Sequence, residues 1–128
     1  MPAAVCPRIR VLCGGEIALG PGKVALLAAV AEHGCLAAAA EALGMSYMRA
    51  WRLVQTMNVC FREPLVETRR GGSAHGGAAL TPAGSTVLAL YRRMESESLR
   101  ALAPVWEELR GCLAAGDRRP RRAPRAAD

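Results

Sequence analysis

Residues 35–58, CLAAAAEALGMSYMRAWRLVQTMN, hold two helical patterns with one glycine between them. The first, residues 36–43, contains four consecutive alanines. Alanine is the strongest helix former, and its small side chain lets a neighbouring helix approach closely. The second starts after Met45, where the Ser46 hydroxyl is placed to cap free first-turn amides. Tyr47, Ala50, Trp51, Val54 and Met57 recur at helical spacing and predict one apolar face. Met48, Arg49, Arg52 and Gln55 fall mainly elsewhere. Gly44 supplies the left-handed turn between the two. Such a pair predicts a helix-turn-helix, in which the second helix enters the DNA major groove near its N-terminus. An ordinary helical hairpin in a core accounts equally well for the alanines and the apolar face. It does not account for Arg49, Arg52 and Arg62 in a stretch, 45–62, that has no acidic residue.

The flanking chain supplies the other parts of such a domain. Residues 8–13 alternate, with Ile9 and Val11 on one face. With Gly14-Gly15 and residues 16–19 they predict an N-terminal hairpin. Gly20-Pro21 opens a broadly apolar helix that Gly34 ends, the buried first element of a three-helix core. After Pro64, residues 65–68 and 78–80 read as two short strands around the Gly/Arg loop RRGGSAHGG. That arrangement predicts a wing beside the recognition helix, although a solvated surface hairpin has the same pattern. Thr81-Pro82 starts a long helix. Val87, Leu90, Tyr91 and Met94 mark its apolar stripe, continued by Leu99, Leu102, Trp106, Leu109 and Leu113. Pro104 is expected to kink or divide it. One small domain has little room to bury so long a stripe, so the helix is read as packing partly against a second chain as a dimerisation helix, with packing back onto the first helix as the alternative.

The fold class expected is mainly α with a small β wing: a winged helix-turn-helix plus a long C-terminal dimerisation helix. The expected divisions are a flexible N-terminus at 1–7, the winged domain at 8–81, the dimerisation helix at 82–115, and a disordered basic tail at 116–128. Formal charge is +6, and the five arginines of 118–125 give the tail half of it. A basic chain suits a polyanionic partner. The apolar run 24–31 is too short to cross a membrane. Five cysteines without a CxxC pair argue against a disulfide framework and fit a reducing cytoplasm. No catalytic constellation, metal-ligand spacing or phosphate loop is present, so no enzyme, cofactor or metal site is expected. Two alternatives stand beside the regulator. One is a thiol- or metal-responsive sensor using Cys35, Cys60 or His33. The other is an interaction module that keeps the fold and no longer reads DNA.

The runs LGPGKVALLAAVAEHG, AAAAEALGMSYMRAWRLVQTMN, PLVETRRGG and GGAALTPAG together resemble the N-terminal DNA-binding domain of the ModE family, molybdate-responsive bacterial transcription regulators. MSYMRAW followed by MN, and the wing closed by LTPAG, are the most specific parts, and the resemblance covers residues 8–103. LysR-type regulators are similar in the wing and in a Leu-Thr-Pro-x-Gly segment, but lack the Tyr-x-x-Ala-Trp pattern. The resemblance implies double-stranded DNA as partner, a homodimer made by the helix after the wing, and Ser46, Tyr47, Arg49 and Arg52 as DNA contacts. It implies Trp51 as a core residue seating the helix, and Arg69 and Arg70 as wing contacts to phosphate. Full-length ModE continues into molybdate-binding β-barrel domains that this sequence does not contain. The expectation is therefore regulation without direct molybdate sensing, with a separate molybdate- or oxyanion-binding protein as a candidate partner.

Overall fold

The computed structural model describes residues 2–69 and 76–114. Residues 2–10 have no regular secondary structure, yet their burial alternates: Ile9 and Val11 turn inward and Arg8 and Arg10 outward. Strands β1 (Val11–Cys13) and β2 (Glu16–Leu19) form the expected hairpin. The turn between them is Gly14-Gly15, both at positive φ, which a two-residue hairpin turn requires. A register shift next to Val11 places both Ala18 and Leu19 in the core.

Helix α1 (Pro21–His33) starts with Pro21 in its first turn and is followed by Gly34. Val24, Leu26, Leu27, Ala29 and Val30 are buried on several sides of it, as befits a central helix. It touches α2 (Leu36–Ala42), α3 (Tyr47–Cys60) and α4 (Pro82–Arg110), together with β2 and β4. The core is aliphatic apart from Tyr91, whose hydroxyl donates to the Ile9 carbonyl at 2.6 Å. Burial and the nearby Glu95 push the Tyr91 phenol above its usual range, so it remains a donor.

The wing is the antiparallel pair β3 (Val66–Thr68) and β4 (Ala78–Leu80), with Val66 opposite Leu80 and Thr68 opposite Ala78. Leu65 is not part of the strand. It is fully buried, and its carbonyl accepts from the Thr81 amide at 3.0 Å. Thr81 holds three groups at this corner. Its hydroxyl donates to the Pro64 carbonyl at 2.6 Å and accepts from the Gly84 amide at 3.0 Å, capping α4. The LTPAG segment is therefore a structural joint that docks α4 against the strand leading into the wing.

Three features of helix α4 bear on its expected stripe and bounds. Its inward face is Gly84, Leu88 and Tyr91, with Val87 half-buried, whereas Leu90 and Met94 are exposed. Tyr91 and Val87 of the expected stripe thus face the domain, and Gly84, which has no side chain to register as apolar, lies against the Leu65 backbone. Helical conformation also runs unbroken through Pro104, so the helix is not divided there. The proline strands only the Arg100 carbonyl, on an exposed stretch where water can replace the missing amide. Finally, the helix ends at Arg110 rather than 115, with Gly111 as its cap. The basic tail expected at 116–128 lies outside the described residues.

Candidate nucleic-acid interface

Helices α2 and α3 meet through Ala39, Ala40 and Ala50, all almost fully buried. Gly44, at φ 67°, makes the turn between them. The Ser46 hydroxyl accepts from the Arg49 amide at 3.1 Å, so the expected cap forms. The first turn of α3 contains no acidic residue. Its remaining free amides and the positive end of the helix dipole therefore make an anion-favouring surface.

Inward, α3 presents Ala50, Val54 and Met57. Outward it presents Tyr47, Met48, Arg49, Trp51, Arg52 and Gln55. Arg49 and Arg52 have no carboxylate partner among the described residues. Trp51 is the correction here. The reading of it as a core residue fails, because its side chain is 42 % exposed. One residue of helix is about 100° of rotation, so Trp51 lies well round from Ala50. Tyr47, 52 % exposed, stands one turn before Trp51 on the same flank. The recognition helix thus exposes an aromatic pair beside its arginines.

The wing is fastened to this helix by Asn58, a role the sequence did not disclose. Its side-chain carbonyl accepts from the Leu65 and Val66 amides at 2.8 and 3.2 Å, and its amide donates to the Val66 carbonyl at 3.0 Å. A polar residue beside the buried Met57 was the available signal. The Ala78 amide donates to the Gly34 carbonyl at 2.9 Å and ties β4 to the end of α1. Exposed Arg69 follows β3, and its amide donates to the Gly77 carbonyl at 2.7 Å. Ser46, Tyr47, Arg49 and Arg52 therefore share one helix, and Arg69 stands on an element pinned to that helix. Arg70 lies outside the described residues.

The sensor residues are not brought together as a metal site. Among the described residues no cluster of three or more His, Cys, Asp or Glu could hold a metal ion. The Cys35 sulfur caps α2, accepting from the Ala38 amide at 3.4 Å. No helix of the described residues is long and apolar enough to cross a membrane.

Residues 22–85 match the family of bacterial regulatory helix-turn-helix proteins of the lysR type. Over 98 residues, 77% of this chain, the sequence is 42% identical to the molybdenum-pterin-binding protein MopB of Rhodobacter capsulatus, covering 36% of that protein. It is 38% identical over 92 residues, 72% of the chain, to the molybdenum transport protein ModE of Azotobacter vinelandii, covering 34% of it. It is 37% identical over 71 residues, 56% of the chain, to the DNA-binding transcriptional dual regulator ModE of Escherichia coli, covering 27% of it. The chain thus spans about a third of the length of these curated relatives. In structure it is similar to the CbnR_DBD–DNA complex, with a TM-score of 0.53 and 28% identity over 69% of this chain and 95% of that one.

Proposed function

The chain belongs to the lysR family of bacterial regulatory helix-turn-helix proteins, and from that premise we propose that it is a dimeric, sequence-specific DNA-binding transcription regulator of the ModE type. The observation that carries this reading is α3 itself. It has a capped N-terminus without acid, two guanidinium groups with no carboxylate partner among the described residues and an exposed flank, seated on an alanine-packed neighbour. Ser46, Tyr47, Arg49 and Arg52 meet bases and phosphates in the major groove. Arg69 and Arg70 of the wing meet neighbouring phosphates. The exposed stripe of α4 pairs with a second copy, so that two recognition helices reach half-sites about one helical turn apart. The names of the relatives support molybdenum-related genes as the targets, regulated in the bacterial cytoplasm. A separate oxyanion-binding protein is then one route by which such genes could be coupled to molybdate.

Selection of genomic fragments by the purified protein, followed by titration of the enriched duplex, tests the proposal. Arg49→Ala with Arg52→Ala is expected to weaken that duplex about tenfold to a hundredfold. It should also flatten the slope of log affinity against log salt by about 2, one per lost phosphate neutralisation. Equal binding of selected and random duplex at every salt concentration would sink the regulator. Preserved partner binding without any DNA phenotype would favour an interaction module.

Trp51 provides an optical check. In a Trp106→Phe protein it is the sole indole. Duplex binding is expected to quench or shift its emission, because the exposed flank of α3 moves from water into a groove. An emission spectrum unchanged at saturating duplex would place the contact elsewhere.

A further inference from the structure

Cys13 and Cys60 stand 47 positions apart in the chain, yet the packing of β2 against α3 brings them together. The Cys13 thiol points at the Cys60 carbonyl, with 3.9 Å between sulfur and oxygen. Both are reachable. Cys13 is exposed, and Cys60 borders an open cleft of about 260 Å³ shared with Glu16, Gln55, Thr56 and Val59. Each is the last residue of its element, β1 and α3 respectively. The turns that follow each element give the backbone freedom to reach disulfide geometry. Cys35, the other cysteine near this region of the sequence, is committed to its helix cap.

We propose that Cys13 and Cys60 form a redox-modifiable dithiol, oxidised by a hydroperoxide to an intrachain disulfide that clamps the N-terminal hairpin to the C-terminal turn of the recognition helix. Cys13 is the more exposed of the two and meets the peroxide first, while burial and the neighbouring Cys13 push the Cys60 thiol up and disfavour its thiolate. The Cys13 thiolate attacks the peroxide, the O–O bond breaks, and an alcohol or water leaves once protonated. Cys13 is then a sulfenic acid. The Cys60 sulfur attacks that sulfur, loses its proton, and displaces the hydroxyl as water. Two thiols and one hydroperoxide become one disulfide, one alcohol and one water. The product closes a long loop of the unfolded chain and stabilises the native domain.

The test uses the full chain treated with hydrogen peroxide, then alkylated and mapped without reduction. The expected product is a monomeric chain that has lost two hydrogens, with Cys13–Cys60 as the dominant cross-linked peptide. Its thermal midpoint should rise, return on reduction, and fail to rise in Cys13→Ser or Cys60→Ser. A second protein with Cys6, Cys35 and Cys112 changed to serine leaves only the pair, and serine retains the cap at position 35. Dominant cross-links between chains, a different pair, or a disulfide that leaves the midpoint unchanged would overturn the proposal. Neither readout involves DNA, so failure here leaves the regulator reading untouched.

Discussion

Gly84→Ala is expected to lower the unfolding free energy by about 3 kcal/mol or more, an effect out of proportion to one added methyl. A Cβ at Gly84 would overlap the Leu65 carbonyl oxygen and come within 3.0 Å of the carbonyl carbon. Those atoms are backbone and cannot rotate away. Leu65 is itself fully buried, and its carbonyl is held by the Thr81 amide. Relief requires α4 to move off the strand. Movement loosens the Thr81 contacts to Pro64 and Leu65 and the seats of Leu88 and Tyr91 together. A domain this size has only about 5–15 kcal/mol to lose. The midpoint of thermal unfolding should fall by about 15 °C, read by circular dichroism. Gly22→Ala is the matched control. Position 22 lies in the first turn of α1 with nothing within 4 Å of an added Cβ, and that variant should gain about 0.5–1 kcal/mol. If the Gly84 variant melted within about 2 °C of the parent, the close docking of α4 would be wrong.

That contact also shows where reading the sequence stopped. The hairpin glycines, the Ser46 and Thr81 caps, the Gly44 turn and the alanine seam were legible because each is a local device, decided within about four residues. The outward guanidinium groups of α3 were legible because its inner face is strongly apolar. The contacts that set one element against another were not. Tyr91 reaches Ile9 across 82 positions, Thr81 reaches Pro64 across 17, and Cys13 reaches Cys60 across 47. Periodicity gives the phase of a helix and not the shape of the surface it meets. Helical spacing and the resemblance both point Trp51 inward, yet it is exposed on the flank of α3. On α4 the same limit hides Gly84, because a glycine at the point of closest approach leaves no apolar signal.

Glutamates at Leu102 and Leu109 are expected to halve the mass of the particle in solution and weaken a palindromic duplex by about a hundredfold, while leaving single half-site binding intact. The argument begins with what α4 lacks. Tyr91 is its last buried residue, and the helix continues to Arg110, about 28 Å further. Along that length Leu99, Leu102, Val105 and Leu109 are exposed, at 42, 37, 63 and 56 %, with Leu113 at 49 % just beyond it. Leu99, Leu102, Trp106, Leu109 and Leu113 alternate three and four residues apart, the spacing of a seam between two helices. Most of a helix's stability in a protein comes from packing its apolar face, and an internal proline costs about 3 kcal/mol. A helix that persists through Pro104 with leucines bare on one side therefore needs another surface, and a second α4 offers the same stripe to it. Two glutamates facing each other across that seam would be desolvated and repel, at several kcal/mol. Helix content lost beyond residue 95 would accompany the dissociation. A variant that still sedimented as a dimer would move the interface elsewhere on the fold. One that became monomeric yet kept full affinity for the palindrome would show that each α3 acts alone.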